Sequence, residues 1–408
     1  MRVDHDIVIV GGGPAGSTTA LAIAQAAPAL ASRVVLLEKA RYPRDKPCAG
    51  ALGGRGDELL RSLGVHADVP SVAIDGVSFR ASAGHAVAAP GRIGRVVRRV
   101  EFDHALARAA AERGIVIREG VRVLGVRRDD RDGPVVETSD GEIRARAVVG
   151  CDGVGSVVRK ALGIGLGRSR AQVVEVDTEP VASDNDRAIL HFDASDRCLL
   201  GYAWDFPTVV GGRPLVCRGI YRLKPERGAT AAGELPIGEV LAERLRRLGI
   251  DPARCENKHY AERGYEPASS IAEGSIMLAG EAAGVDLATG EGIAQAIEYG
   301  VLAGRFLVTR IRETPAGPLA LGDWTDRMAR SRLARDLRVR AVFMRLFFGP
   351  ARTETERLFT KSSDVLHVGC QHFAAQPRDW PKLAKVIARS IATIVPMIPH
   401  LRPAASWR

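Results

Sequence analysis

The chain has 408 residues, of which 46% are hydrophobic and 26% charged, a composition typical of a globular protein with two or three domains. Its net charge of +10, carried mostly by arginine, suits nucleic acid, an anionic membrane surface or an anionic substrate. The sequence has no lysine-rich run, zinc-finger spacing or base-stacking motif, so we expect no nucleic-acid partner. It has no apolar stretch long enough to span a bilayer and no signal-peptide pattern.

Six cysteines are spread along the chain without a CxxC pair, at positions 48, 151, 198, 217, 255 and 370. In a chain without an export signal, this scatter predicts reduced thiols in a cytoplasmic protein. We expect no metal site.

The first segment, DIVIVGGGPAGSTTALAIAQAA, predicts a short strand, a glycine turn and an alanine-rich helix, and RVVLLEKA predicts a second strand. Such a βαβ unit implies a parallel sheet in an α/β domain. Gly11, Gly13 and Gly16 form a GxGxxG motif between strand and helix. The first permits a tight turn, the second lets the backbone approach a pyrophosphate, and the third lets helix and strand pack closely.

Glu38 ends the second strand, 22 residues after Gly16. A carboxylate at this position can accept hydrogen bonds from both ribose hydroxyls. Because it repels a 2′-phosphate, we expect the tightly bound nucleotide to be FAD or NAD rather than NADP.

Further along, VVRRVEFDHALARAAAERG predicts a helix with its N-cap at Asp103, and alternating segments up to Gly150 predict a small antiparallel layer. Residues 168–265 are β-rich, with YAWDFP and LVCRGIYRL as the clearest strands. A strand, a glycine loop and a helix follow, and the last 90 or so residues look helical and basic.

Two further segments carry nucleotide-site signals. Asp152–Gly153 follows an apolar strand, where the aspartate can hold a ribose or fix a loop over a pyrophosphate, or simply form a turn. In LAGEAAGVDLATGEGI, small residues allow backbone amides to approach a ligand, and Glu281 closes the strand. The turn 290–292 opens a helix whose positive end suits the negative charge of a reduced flavin.

GYAWDFP places Tyr202, Trp204 and Phe206 on one face of a strand. Three adjacent aromatic rings form an apolar wall that suits a long hydrocarbon substrate. The same pattern also fits the core between two sheets.

These four segments, in this order, resemble the geranylgeranyl reductase family, within the flavoproteins that share the p-hydroxybenzoate hydroxylase fold. YPRDKPCAGAL is similar to that family's lysine-proline-cysteine-glycine segment beside the flavin, and GYAWDFP is similar to its YxWxFP substrate motif. RVEFD, at 99–103, is shared with many aromatic hydroxylases. The segment RVRAVFMRLFFGPARTETERLF is similar to the family's C-terminal helices.

The resemblance implies a fold of the α/β + β class. It has a discontinuous Rossmann-like FAD-binding domain, an inserted antiparallel β-sheet substrate domain and a helical C-terminal tail. We assign these three parts, in that order, to residues 1–75 with 95–167 and 266–315, to 76–94 with 168–265, and to 316–408.

The resemblance also implies the site residues. Those expected at FAD are Gly11, Gly13, Pro14, Ala15, Gly16, Glu38, Lys39, Lys46, Cys48, Ala49, Gly50, Arg99, Val123, Asp152, Gly153, Gly280, Glu281, Gly290, Gly292 and Ile293. Those expected at the substrate are Tyr202, Trp204 and Phe206. Three positions depart from the family pattern: Ala49 replaces a glycine, Glu281 an aspartate and Leu287 a proline.

The implied activity is an FAD-dependent reduction of carbon–carbon double bonds in an isoprenoid or lipid-like substrate, with NADPH, NADH or a ferredoxin as the electron donor. We expect Cys48, or a water that it holds, to belong to the proton route; the alternative is a small residue that merely fits beside the flavin. The main competing function is an FAD-dependent monooxygenase. A halogenase and a flavin-holding lipid-binding protein are weaker alternatives.

The C-terminal segment DWPKLAKVIARSIATIVPM has apolar residues at helical spacing on one side and basic residues on another. The apolar set is Leu383, Ile387, Ile391 and Ile394, and the basic set is Lys382, Lys385 and Arg389. Such a helix can rest on an anionic membrane, giving peripheral contact at its inner face, or can cover its own domain's core. The sequence leaves the oligomeric state open.

Overall fold

The computed structural model describes residues 3–129, 131–184, 186, 188–224, 235–377 and 379–394. The strands are β1 (His5–Val10), β2 (Val34–Glu38), β3 (Ala51–Gly53), β4 (Ser71–Ile74), β5 (Gly76–Ala81), β6 (Gly84–Ala88), β7 (Gly94–Val97), β8 (Val116–Glu119), β9 (Val123–Arg127), β10 (Val135–Thr138), β11 (Gly141–Gly150), β12 (Arg170–Thr178), β13 (Ile189–Ala194), β14 (Gly201–Val210), β15 (Arg213–Lys224), β16 (Lys258–Arg263), β17 (Ala272–Glu273) and β18 (Ile276–Leu278). The α-helices are α1 (Pro14–Ala26), α2 (Gly54–Ser62), α3 (Arg99–Ala111), α4 (Val157–Ala161), α5 (Ile237–Arg247), α6 (Ile293–Glu313), α7 (Trp324–Ala329), α8 (Arg332–Phe347), α9 (Arg352–Thr360), α10 (Asp364–Phe373) and α11 (Trp380–Ile394).

One sheet is built around parallel strands, in the order β17-β18-β11-β1-β2-β8, and β9 and β10 extend it through β11. The pairs β1–β2, β1–β11, β2–β8 and β11–β18 are parallel. Every residue of β2 is buried, as expected for a parallel strand that is covered on both faces. The carboxyl ends of β1, β2, β11 and β18 therefore lie along the same edge of the sheet.

Helices α1 and α6 pack against each other through glycines. A Cβ atom at Gly300 would lie 2.0 Å from Oγ1 of Thr18, and one at Gly304 would lie 2.6 Å from Cβ of Ala22. Since the contacts advance by four residues on both helices, the helices run in the same direction. Their N-termini are consequently at the same end of the pair.

A second sheet has the order β16-β12-β15-β14-β13-β5-β6. Its pairs are antiparallel except β5–β13, which is parallel, as the long connection between these two strands permits. One face packs on α5 through residues such as Val174 and Ile220. The other face, which carries Tyr202, Trp204 and Phe206, packs on side chains of α8 and α10. A parallel-stranded sheet followed by an antiparallel sheet and C-terminal helices agrees with the expected α/β + β class.

Asp103 was predicted to cap α3, and this prediction is wrong. The helix begins at Arg99, and Asp103 lies one turn inside it, fully buried. The carboxylate instead binds the Arg99 guanidinium, which lies four residues earlier on the same helix face.

The domain boundaries stay a prediction. The strands β3, β4 and β7 form a small sheet with the order β3-β7-β4, separate from both larger sheets. None of the described helices is long and apolar enough to cross a membrane.

Candidate active site

The glycine turn after β1 leaves the N-terminus of α1 open to a ligand. A Cβ at Gly11 (φ +101°) would lie 2.5 Å from the Cys151 carbonyl oxygen, and one at Gly16 would lie 1.9 Å from the Gly11 carbonyl oxygen. Both positions therefore require glycine. No described side chain caps the helix at Gly13. Its first amides are thus available to a phosphate.

Glu38 is held at the end of β2 by backbone amides. The Gly12 amide donates to one carboxylate oxygen and the Ala40 amide to the other, each at 3.0 Å. Arg44 approaches the same carboxylate at 3.3 Å. Because each carboxylate oxygen accepts more than one hydrogen bond, Glu38 can still accept from ribose hydroxyls.

Two predicted neighbours of Glu38 differ in their placement. Lys39 is exposed. Val123 is buried at the start of β9, two residues after Val121, whose amide donates to the Glu38 carbonyl at 3.0 Å. The place of Val123 in a nucleotide site therefore stays a prediction.

Arg99 places a buried positive charge beside the glycine turn. Its guanidinium makes hydrogen bonds of 2.6 and 2.7 Å to the two oxygens of Asp103. One of its nitrogens lies 3.6 Å from where a Cβ of Gly13 would be. Asp103, which also binds Arg44 at 3.0 Å, keeps the pKa of the Arg99 guanidinium above its usual range despite burial. The charge is therefore fixed near the predicted pyrophosphate position.

The ends of β11 and β18 meet beside α1. Asp152 accepts hydrogen bonds from the Ser156 hydroxyl at 2.5 Å and the Val157 amide at 2.7 Å, and so holds the start of α4. Of the roles that the sequence left open for Asp152, these hydrogen bonds are those of a residue that fixes the loop between β11 and α4. A Cβ at Gly153 would lie 3.5 Å from a carboxylate oxygen of Glu281.

Gly280 and Glu281 extend this edge. A Cβ at Gly280 would lie 2.6 Å from Cβ of Ala15, so glycine permits the close approach of this loop to α1. Oε2 of Glu281 is 3.9 Å from the Lys46 ammonium. Its Oε1 is buried and has no hydrogen-bond partner among the described residues. Such an oxygen is available to a ligand hydroxyl.

The loop before α6 is held by Asp286 and Arg340. Asp286 accepts from the Ala288 amide at 2.7 Å and the Thr289 amide at 3.2 Å. Arg340, on α8, binds Asp286 at 2.8 Å and Glu291 at 2.7 Å. Two carboxylates hold the pKa of the Arg340 guanidinium above its usual range. The loop is thereby fixed in front of the N-terminus of α6.

The N-terminus of α6 is also open. No described side chain caps the helix at Gly292, and no described atom lies within 4 Å of where its Cβ would be. Ile293, the first residue of α6, is buried. The positive helix end can therefore face an anionic group, as the sequence predicts.

Cys48 lies on the segment between β2 and β3. Its backbone amide donates to Glu175, on β12, at 2.7 Å. Burial raises the pKa of the Cys48 thiol, and the charges of Arg99 and Lys46 only partly oppose this effect. The thiol is therefore protonated at neutral pH.

A cavity of about 1060 Å³ joins these parts. Its lining includes Cys48, Ala49, Gly50, Tyr202, Trp204, Phe206, Gly290, Gly292 and Ile293, together with side chains of α8, α10 and α11. The structure therefore brings the predicted substrate wall and two of the predicted flavin loops to one cavity. The other predicted cofactor residues lie outside the cavity lining. Those described above at the glycine turn and at the ends of the parallel strands lie along the edge of the first sheet where a nucleotide is predicted.

The sequence analysis missed three polar residues that line the cavity from other strands of the sheet that carries the aromatic wall: Tyr221, Tyr260 and Glu262. Tyr221 lies beside Tyr202 on the neighbouring strand, with the rings stacked at 4.9 Å. Tyr260 and Glu262 line the cavity from β16. The alternation of LVCRGIYRL could have marked Tyr221 as inward-facing, but its partner depends on strand register, which the sequence does not show.

These features fit FAD. The open amides at Gly13 and Gly292, the carboxylate of Glu38 and the unpartnered oxygen of Glu281 match the pyrophosphate, the flavin and the hydroxyl groups of that cofactor. The site thus defines a dinucleotide-binding flavoprotein.

The chain belongs to the FAD binding domain family, which matches residues 4–319. Digeranylgeranylglycerophospholipid reductase 1 of Methanopyrus kandleri is 28% identical over 346 residues, covering 80% of this chain and 86% of that protein. Rifampicin monooxygenase of Streptomyces venezuelae is 34% identical over 194 residues, covering 44% and 39%. The family is thus one of FAD-dependent oxidoreductases, with both reductases and monooxygenases among the relatives.

The fold is also that of a geranylgeranyl bacteriochlorophyll reductase-like protein from Thermoplasma acidophilum. The two structures match with a TM-score of 0.67 at 19% identity, covering 96% of this chain and 98% of that one. At this identity the likeness concerns the fold.

Gly13→Ala tests the position of the pyrophosphate. The added methyl group meets only one nitrogen of Arg99, at 3.6 Å, and Gly13 has an ordinary φ of −75°. We therefore expect the stability of the apoprotein to change by at most about 1 kcal/mol, the scale of an N-cap substitution. FAD affinity, measured by fluorescence titration, should fall at least about tenfold, which corresponds to roughly 1.4 kcal/mol.

Gly322→Ala is the control, because no described atom lies within 4 Å of that position and it is exposed. Unchanged FAD affinity in Gly13→Ala would show that the pyrophosphate does not approach this turn.

Proposed function

We propose that this protein reduces carbon–carbon double bonds of an isoprenoid chain, with FAD as its cofactor. The observation that carries the proposal is the cavity between the Cys48 segment, the loop before α6 and the aromatic wall of β14. The cavity has a volume of about 1060 Å³ and is lined both by the two predicted flavin loops and by the aromatic wall, so a substrate chain can lie beside the flavin. The reductase relative of Methanopyrus kandleri, by its name, supports this substrate class.

The wall of the cavity suits a hydrocarbon. Tyr202, Trp204 and Phe206 are each buried, with Phe192 in edge-to-face contact with Tyr202 at 5.5 Å and with Phe206 at 5.1 Å. Such packing fixes the rings as a rigid apolar surface. Transfer of an isoprenoid chain from water to this apolar surface lowers the free energy and therefore favours binding.

Reduction of an alkene needs a hydride on one carbon and a proton on the other. Bound FAD supplies the hydride-transfer chemistry, after reduction by NADPH, NADH or a ferredoxin. Cys48 lies in the lining with a protonated thiol, so it can hold a proton or a water beside the chain. We propose it as a member of the proton route.

The second candidate function is an FAD-dependent monooxygenase of a hydrophobic substrate. The monooxygenase relative of Streptomyces venezuelae supports it. The two functions share the cofactor cradle and differ in whether oxygen is needed.

An anaerobic reaction separates the two functions. The flavin of the purified holoprotein would be reduced with dithionite, and geranylgeranyl diphosphate or a prenylated lipid would be added without oxygen. We expect the flavin absorbance to return and the product mass to increase by two hydrogens per reduced bond. A flavin that stays reduced until oxygen is admitted, and then yields an oxygenated product, would establish the monooxygenase.

Cys48→Ala tests the proton route. We expect the rate of flavin reoxidation by the alkene to fall at least about tenfold, because a positioned proton-transfer group contributes about 10²–10⁴-fold and a water can replace part of it. FAD content and substrate affinity should be unchanged. Cys198→Ala, at an exposed cysteine outside the cavity, is the matched control. Full turnover in Cys48→Ala would exclude the proton role.

We also propose that the cavity opens toward a membrane surface, as a lipid substrate would require. Val339 and Val342 on α8 are 68% and 55% exposed, and Ile387 on α11 is 50% exposed. Val339 and Ile387 are also in the cavity lining. Lys382 and Lys385 lie on α11 as well, so apolar and basic residues occur together near the opening. The predicted apolar side chains of Ile391 and Ile394 lie outside those described.

Flotation with anionic phospholipid vesicles tests the membrane contact. Val342→Asp together with Ile387→Asp should reduce flotation, because each carboxylate would enter the apolar interface and repel anionic lipid. Leu124→Asp is the control, since Leu124 is 58% exposed on β9, outside the cavity lining. Equally weak flotation of the intact protein and all variants would exclude the membrane proposal.

A further inference from the structure

Glu262 is a carboxyl group in the cavity that the function proposed above leaves unused. It lies on β16 and is part of the cavity lining. The Tyr221 hydroxyl, on β15, donates a hydrogen bond to its Oε2 at 3.1 Å. Glu262 is half-buried, and the one hydrogen-bond partner shown for its carboxyl group among the described residues is this neutral phenol, so the role of the carboxyl group calls for a chemical reason.

Glu262 lies close to the loop before α6. Tyr221 stacks on Tyr202 at 4.9 Å between ring centroids. Both rings border Gly290: a Cβ there would lie 2.8 Å from the Tyr202 hydroxyl oxygen and 3.4 Å from the Tyr221 ring. Glu262 and its tyrosine therefore belong to the end of the cavity at which α6 begins.

Tyr260 shows that the face of β16 that carries Glu262 is directed toward the Cys48 segment. It lies two residues before Glu262 on β16, so the two side chains are on the same face of the strand. The Tyr260 hydroxyl donates to Glu175 at 3.3 Å, and Glu175 also accepts the Cys48 amide. Cys48, Tyr260 and Glu262 all line the same cavity.

The groups that face Glu262 favour its neutral form. Burial raises the pKa of the Glu262 carboxyl to about 8, and the charges of Glu281 and Asp286 act in the same direction. The Lys46 ammonium and the Tyr221 hydrogen bond oppose them. The neighbouring phenols of Tyr221, Tyr202 and Tyr260 have pKa values raised by burial, so they stay neutral.

We propose that Glu262 is the proton source of the alkene reduction and that Tyr221 positions its carboxyl group. This inference rests on the proposed reductase function. In this step the π bond of the alkene would break, one carbon would receive the hydride that reduced FAD supplies when bound, and the other would receive a proton from Glu262 by way of the Cys48 thiol or the water that it holds. The hydride would bring both electrons, the substrate would gain two hydrogens, and the Glu262 carboxylate would recover its proton from solvent.

The first test measures Glu262 directly and needs no substrate. Infrared difference spectra of the FAD-loaded protein would be recorded across a pH titration, because a protonated carboxyl group has its own carbonyl band. We expect a band that is present at pH 7, disappears with a midpoint near pH 8, and is absent from Glu262→Gln. Identical spectra of the two proteins at pH 7 would overturn the proposal.

The second test measures the pH dependence of flavin reoxidation by the alkene under anaerobic conditions. An acid must be protonated to donate, so the wild-type rate should be high below about pH 8 and fall above it. Glu262→Gln should react about 100-fold more slowly, without that pH dependence and with unchanged substrate affinity. Tyr221→Phe removes a hydrogen bond that lowers the pKa of Glu262, so its midpoint should move to higher pH.

Glu256→Gln, at an exposed carboxylate just before β16, is the matched control and should behave as wild type. A wild-type pH profile and rate in Glu262→Gln would overturn the inference while leaving the reductase function intact. Failure of the wild-type protein to reduce any alkene would instead contradict the proposed function, and the infrared titration would still report the state of Glu262.

Discussion

The contact between α1 and α6 is the constraint on which the site depends. Glycines at 300 and 304 let the helices approach closely and in the same direction. Their N-termini, more than 270 residues apart in the chain, are thereby placed at one end of the pair. Each has backbone amides that no described side chain caps. One elongated cofactor with two separated electron-rich groups can engage both helix ends, so packing in the core fixes the spacing within the ligand site.

Charge is distributed unevenly along the site. Near the glycine turn, guanidinium groups are held by buried carboxylates, as in Arg99 with Asp103, and they keep their charge. Around the cavity, burial instead raises the pKa of Glu175 to about 7 and that of Glu262 to about 8. A buried carboxyl without a strong cation neutralises itself by binding a proton. The glycine turn is thus suited to an anion, whereas the aromatic wall of β14 is the part of the cavity that suits an apolar chain.

The local signals in the sequence predicted where the glycine turn, Glu38 and the aromatic wall lie in the fold, whereas their roles toward a cofactor or substrate stay predictions. The glycine turn, the acid at Glu38 and the aromatic alternation at 202–206 are short-range patterns, and the structure places each where expected. Asp103 was misassigned because an aspartate near a helix start resembles a cap, whereas its actual partner is one turn away. Tyr221 and Glu262 were missed because their roles follow from strand register and from the helices that close the cavity, which are long-range features.

The same fold carries reductases and monooxygenases, so the cradle around FAD does not decide the reaction. The residues around the substrate must therefore determine the reaction. An isolated alkene accepts a hydride only if a proton reaches the neighbouring carbon, since no electron-withdrawing group stabilises the charge that would otherwise develop. A cavity with neutral carboxyl and thiol groups can supply that proton in an apolar setting, whereas ionised carboxylates could not. Under the proposed reductase function, the neutral Glu262 carboxyl and the Cys48 thiol are the groups in the cavity that can supply this proton.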